Sequence, residues 1–205
     1  MKLSLQYSEV LNGQFSPGEI NLMMVFQVNC PGCFIHGFPL LNQLQSQYQG
    51  GLSCFAMSTA FEDFKLNTME NTQLLIDKGE FVGETLKAHK AGLFNWSKVS
   101  FPVLVDQQVE QIDLVNPLFI DSIIQNKREW QLATQPEKQK VRTALQEYFV
   151  QLRECGYTFA TNLMQGTPTF ILFNKSMDIL LQWFGHTDPK LAAEKIATFI
   201  KKNNE

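Results

Sequence analysis

The sequence has no long hydrophobic run. Its longest apolar stretches are of strand length, far short of the ~20 residues a membrane-crossing helix needs, so no membrane partner is expected. The opening residues, Met1-Lys2-Leu3-Ser4-Leu5-Gln6-Tyr7, carry one basic residue and lack the apolar stretch of a secretory signal, which predicts a soluble, cytoplasmic protein. Lysine and arginine form no patch and the formal net charge is −3, which argues against nucleic acid as a partner. Cysteine is scarce. Four residues, Cys30, Cys33, Cys54 and Cys155, are too few and too scattered for a disulfide framework. A chain of 205 residues needs none, because it buries a sizeable core by length alone. Internal repeats, linkers and low-complexity segments are also missing, so residues 1–205 read as one domain.

Apolar residues make up 44% of the chain and phenylalanine occurs 17 times, so the core should be rich in aromatic rings. Residues 1–19 hold the turn signals Asn12-Gly13 and Pro17-Gly18 and predict a short leading strand or hairpin. Residues 20–28 are nearly all apolar, as in a central strand covered on both faces. From Cys33 to about residue 49 the apolar positions Phe34, Phe38, Leu41, Leu44 and Tyr48 recur at helical steps. Residues 52–58 and 101–106 read as further strands. Helices are expected near 68–78, with Asn67 and Glu70 resembling a capping box, and near 80–91. From about 109 to 165 the pattern is helical and polar. It includes one helix over 116–130 and a stronger one over 136–154, with a stripe of Val141, Leu145, Tyr148, Phe149 and Leu152. Strands 170–174 and 179–184 follow. Then comes a helix with Asp188 as its cap and Pro189 in its first turn, apolar at Leu191, Ala192, Ile196, Phe199 and Ile200. The order is βαβα, an inserted helical block, then ββα.

Cys30-Pro31-Gly32-Cys33 stands where the first core strand gives way to a helix. The attacking species in disulfide exchange is a thiolate, and a helix N-terminus stabilises one through free N–H groups and its positive dipole end. Pro31 suits the first turn, where its missing N–H costs nothing. Cys33 lies one turn deeper, so Cys30 is the expected nucleophile and Cys33 the resolving thiol. Two other uses of such a pair are buried packing and half of a zinc site. Zinc takes about four ligands, yet Cys54 and Cys155 are isolated and His36, His89 and His186 show no pairing spacing. No metal is therefore expected.

The strand–Cys-Pro-Gly-Cys–helix unit, together with Gly166-Thr167-Pro168-Thr169-Phe170 opening a late strand, resembles the thioredoxin-like superfamily. Within it, the 101–106 and 167–172 segments look closest to TlpA-like chains, and the helical insertion at about 109–165 looks like that of DsbA-like oxidoreductases. The resemblance implies an α/β thioredoxin fold, a central mixed sheet flanked by helices, with the insertion ahead of the strand that follows Pro168. It implies a cis peptide at Pro168. It also implies substrate binding by Thr167 and Pro168, with Pro31 and Gly32 beside the nucleophile, and no cofactor. The expected activity is thiol–disulfide exchange on a disulfide-bearing protein or small thiol substrate, coupled to an upstream reductant or oxidant, with this chain acting as the reductant. The insertion is expected to select the disulfide that reaches the site.

Three departures from that family stand out. Asn29 replaces the tryptophan that thioredoxins carry before the first cysteine, Met24 replaces their buried aspartate, and the central dipeptide is Pro-Gly instead of Gly-Pro. Without the aspartate, proton transfer from Cys33 must use water or another group. These departures keep an alternative in view, a non-catalytic thioredoxin-like module that binds a protein and carries a vestigial dithiol. Among the remaining candidates, His36 reads as packed or solvated, Cys54 as a small core residue, and Cys155 as a thiol at the end of the insertion helix. Trp96, Trp130 and Trp183 are candidates for a substrate groove.

Overall fold

The computed structural model of the chain describes residues 1–124, 128–151 and 154–203. Its centre is the strand the apolar run predicts, β2 (Ile20–Phe26), with every residue buried. Alternation along the strand sends Leu22, Met24 and Phe26 into one core and Met23 and Val25 into a second on the opposite face. A strand covered on both faces has no place for polar side chains except where each is paired. Asn21 fits this rule, since its amide donates to the Gly18 and Phe173 carbonyls.

β2 pairs in parallel with β3 (Ser53–Ser58), which pairs in parallel with β4 (Val103–Asp106). On its other side β2 runs antiparallel to β7 (Thr169–Asn174), which forms a hairpin with β8 (Ile179–Phe184). The leading strand β1 (Tyr7–Asn12) does not make a hairpin with β2. Both flanks of β2 are already taken by β3 and β7, so β1 crosses to the far edge and pairs antiparallel with β4. The mixed sheet has the order β1-β4-β3-β2-β7-β8.

The helix after the dithiol departs from the uninterrupted run the periodicity predicts. A π-helical turn spans Cys33–Gly37 before α1 (Phe38–Gln47) begins, and the Phe38 N–H reaches back to the Cys33 carbonyl. Pro39 is the cause. It has no N–H for the Ile35 carbonyl and its ring crowds that carbonyl, so the turn before it widens. Helix α2 (Met69–Lys78) is capped by Thr68, whose hydroxyl accepts the Asn71 N–H, and not by Asn67. Helix α3 (Gly83–Lys90) follows, and α9 (Pro189–Asn203) closes the chain with Asp188 accepting the Leu191 N–H. Residues from α1, α2 and α9 (Leu41, Ile76 and Ile196 among them) share the core of Leu22 and Met24, whereas Leu191 is largely exposed.

Between β4 and β7 lie β5 (Gln108–Glu110), α4 (Gln111–Leu114), α5 (Pro117–Ile124), α6 (Arg128–Leu132), α7 (Gln135–Val150), β6 (Glu154–Gly156) and α8 (Tyr157–Thr161). This block covers the other face of the sheet, with Leu114, Ile120, Phe149 and Phe159 packed in the core of Met23 and Val25. It is not wholly helical, because β5 and β6 pair antiparallel. The expected helix over 116–130 is represented by α5 and α6, and residues 125–127 lie outside the described ones. Of the expected stripe on α7, Phe149 is buried, Val141 and Tyr148 are exposed, and Leu152 lies outside the described residues. Asp106 ties the block to the sheet. Its buried carboxylate accepts from the Thr59 hydroxyl at 2.8 Å and from the Thr158 and Phe159 N–H groups at 2.8 and 3.1 Å. Among the described residues no helix is long and apolar enough to cross a membrane.

Candidate active site

The dithiol sits at the C-terminal end of β2, the end at which parallel β2, β3 and β4 all finish. Cys30 is half-buried and Cys33 is fully buried; both are free thiols. The Cys33 N–H donates to the Cys30 carbonyl at 3.0 Å and faces Cys30 Sγ at 3.3 Å. The two thiols differ sharply in acidity. The hydrogen bond from the Cys33 thiol holds the Cys30 thiol down at about 7, against burial, with help from Thr167 and the Cys33 N–H; the Glu62 carboxylate pushes the other way. Burial raises the Cys33 thiol well above its ordinary value, and the neighbouring Cys30 adds to the rise. The pair therefore contains one thiolate-prone sulfur near solvent and one protonated sulfur beneath it.

The loop ahead of β7 closes on this pair. Its Thr167–Pro168 peptide is cis. Cys30 Sγ donates to the Thr167 carbonyl at 3.5 Å, across 137 positions of sequence. Pro168 is held from two sides. The Gly185 N–H donates to its carbonyl at 2.8 Å, and the helix approaches through Gly37, where an added Cβ would lie 2.7 Å from Met24 Sδ and 3.3 Å from Pro168 Cβ. Met24, in the place of the missing carboxylate, is thus a packing partner of the helix. The structure brings Cys30, Cys33, Thr167 and Pro168 together. Pro31 and Gly32 lie in the first helical turn, both partly exposed, with open space around Gly32.

Two polar residues that composition and spacing did not single out brace the site. Asn29 donates to Asp63 Oδ2 at 2.8 Å and accepts the Glu84 N–H at 2.7 Å, so it supplies the cap that Val82 cannot give α3. Its own N–H goes to Asn67 Oδ1 at 2.8 Å, which explains why Asn67 is not a helix cap. Gln27 is buried. It donates to the Glu62 carbonyl at 3.2 Å and accepts from the Thr167 hydroxyl at 3.4 Å. The sequence signal for both was a pair of amides interrupting an apolar strand just before the first cysteine. The 59–68 loop that receives these bonds is itself propped by the insertion, since the Gly156 N–H donates to the Ala60 carbonyl and Phe61 stacks on Phe159 at 4.2 Å.

Cys54 and Cys155 are buried, and burial pushes each thiol up to about 12. Cys155 belongs to β6 and not to a helix end, because α7 stops at Val150. His36 is exposed, with its ring 4.4 Å from that of His186. Trp96 lies in the aromatic cluster of Phe34, Phe38 and Phe81, Trp183 stacks on Phe170, and Trp130 lies under Arg142.

No family model and no curated protein matches the chain. Solved structures do. One, a protein described as of the thioredoxin-like superfamily, is 20% identical over 98% of this chain and 96% of its own, with a TM-score of 0.57. A thiol-disulfide isomerase from Corynebacterium glutamicum is 18% identical over 98% and 96%, with a TM-score of 0.58. A thioredoxin-like protein in its oxidised form is 14% identical over 98% and 95%, with a TM-score of 0.50. Likeness at these identities speaks for architecture, and with the βαβ and ββα units around one mixed sheet it leads to one conclusion: this chain has the thioredoxin-like fold.

Proposed function

We propose that the chain is a thiol–disulfide oxidoreductase acting through Cys30 and Cys33. The observation that carries this reading is the opposed acidity of two thiols one turn apart, with the outer one at about 7 and the inner one sealed and protonated. Cys30 thiolate attacks one sulfur of a substrate disulfide, forming a mixed disulfide and releasing the other sulfur as a thiolate. Cys33 then loses its proton and attacks Cys30 Sγ. The Cys30–Cys33 disulfide forms, the second substrate sulfur leaves, and two electrons have passed to the substrate. An external dithiol resets the pair. Thr167 and Pro168 present the substrate segment to Cys30, and Pro31 and Gly32 leave its approach open. The substrate is a disulfide-bearing protein or a small disulfide.

The same acidity supports the reductant direction. A thiolate held more strongly stabilises the reduced form and makes an oxidant, and a thiol near 7 is held only moderately. That direction suits a reducing compartment such as the cytoplasm. Residues 1–205 act in this reading as one domain, with the insertion at about 109–165 shaping access through the 59–68 loop. A vestigial dithiol on a binding module would have no need of the acidity split.

The test is a Cys33→Ser variant incubated with oxidised substrate proteins, beside the wild type cycled with dithiothreitol. Trapped mixed disulfides at Cys30 and wild-type turnover are expected. A variant that traps nothing, with a wild-type pair that never cycles, overturns the reading.

A further inference from the structure

Two histidines that no sequence spacing pairs meet in the fold. The rings of His36 and His186 lie 4.4 Å apart, centre to centre. Their place follows from the packing around Pro168. Gly37, the last residue of the π-helical turn, lies against the Pro168 ring, and His36 precedes it. Gly185, whose N–H donates to the Pro168 carbonyl, turns the chain after β8 with a φ of 79°, and His186 follows it. Each histidine is thus the chain neighbour of a glycine that touches Pro168. Their contact is not core packing, because both residues are exposed. Neither imidazole makes a hydrogen bond among the described residues, so the ring nitrogens are free to take a ligand.

We propose that His36 and His186 form a two-imidazole site for a divalent late transition metal ion, of the class of Cu²⁺, Ni²⁺ and Zn²⁺. Two imidazoles about 2.0–2.1 Å from one ion, at right or tetrahedral angles, hold their ring centres about 4.5–5 Å apart. The observed 4.4 Å is close to that range. The rings aim at a shared ion by rotation about χ2, which is broad for histidine. The donors select the ion. Imidazole suits copper, nickel and zinc, whereas Ca²⁺ and Mg²⁺ favour carboxylates. No carboxylate lines the cavity beside His186, where Thr187 and Lys195 are the other polar residues. Among the described residues no third His, Cys, Asp or Glu joins the pair, so water completes the shell. A bound ion ties the turn that carries Cys33 to the strand end that holds Pro168, whether or not the dithiol exchanges electrons.

The probe is Ni²⁺, titrated calorimetrically into the untagged full chain carrying Cys30→Ser. That replacement removes the one thiolate near solvent that would bind the metal itself, since Cys33, Cys54 and Cys155 are buried. One ion per chain is expected. His36→Ala and His186→Ala, each added to that protein, should weaken binding at least about tenfold, because loss of even an outer-shell partner of a metal costs about that much. His89 is the control: it is also exposed, but its ring lies against Phe81 and Phe94, and His89→Ala should leave binding unchanged. The thermal midpoint should rise with Ni²⁺ in the parent and stay where it is in His36→Ala. Cu²⁺ should bind more tightly than Ni²⁺. No uptake of Ni²⁺ at about 1 mM, uptake as tight without His36 or His186, or an equal loss in His89→Ala overturns the proposal. Because Cys30 is absent throughout, these outcomes stand apart from turnover, whose absence in the wild type would overturn the exchange reading instead.

Discussion

Replacing Cys33 with alanine tests the claim that the inner thiol makes the outer one reactive. The Cys33 thiol is the largest influence holding Cys30 at about 7, against an ordinary value of 9.0. The two-unit difference corresponds to about 2.7 kcal/mol favouring the charged form. At pH 7 the wild-type Cys30 is then about half thiolate, where an unassisted thiol would be about 1%. Loss of the Cys33 thiol should return the midpoint at least one unit towards 9.0, cutting the thiolate fraction at pH 7 about fivefold. A more basic thiolate is also about threefold more nucleophilic per unit, so the rate at one pH falls only about twofold. The midpoint is therefore the quantity to measure, by iodoacetamide labelling of Cys30 followed by mass spectrometry across pH 5–10 (about one point per half unit). Serine at position 33 keeps a donor and should largely preserve the wild-type midpoint. Stability gives an independent check. A thiol whose folded pKa lies below its unfolded one stabilises the protein above the unfolded value and loses that stability as pH falls through the folded value. The reduced protein should thus gain stability between about pH 7 and pH 9 relative to Cys30→Ser, and lose this gain in Cys33→Ala. A wild-type midpoint near 9, or no shift on removing the inner thiol, refutes the reasoning.

Asp106 has the opposite sign. Burial pushes its carboxyl up to about 6 from 3.8 in spite of three donors, so the folded chain binds a proton more tightly than the unfolded one. Stability should fall by about 3 kcal/mol as pH rises from about 4 to about 6, as read by urea unfolding. Asp106→Asn should remove that slope, and the slope's survival in the variant would assign it elsewhere. Gly37→Ala places a methyl group 2.7 Å from Met24 Sδ and 3.3 Å from Pro168 Cβ, and overpacking of this kind costs about 1–3 kcal/mol. A thermal midpoint within a degree of wild type would mean that the helix and the Pro168 loop are not in close contact.

Much of the architecture was legible because it is carried by local pattern. The apolar run of β2, the ββα close and the dithiol at a strand-to-helix junction all depend on residues a few positions apart. What the sequence left unread has identifiable physical sources. Pro39 was hidden inside a good helical period, so the π-helical turn at Cys33 went unread although the backbone rule that demands it is local. The place of β1 depends on which strands have already claimed the flanks of β2, and no property of residues 1–19 reports that. Gln27 meets Thr167 across 140 positions, so its role exists only once the sheet has formed. Asn29 seemed a defect beside the family pattern, yet it holds the start of α3 by capping it from a distant segment.

Of the four cysteines, all among the described residues, three are sealed: Cys33, Cys54 and Cys155 are 0%, 4% and 0% exposed. Among its cysteines, oxidants in solution therefore meet this chain at one address. Peroxide converts an accessible thiolate to a sulfenic acid, and a thiol within reach condenses with that acid to a disulfide before it advances to irreversible states. Cys33 lies directly beneath Cys30, so the damage product and the oxidised form of the proposed exchange would be the same disulfide, and one reductant would clear both. The aromatic-rich core can hold thiols among its rings without liability, because none of them is ionised enough or close enough to solvent to be found.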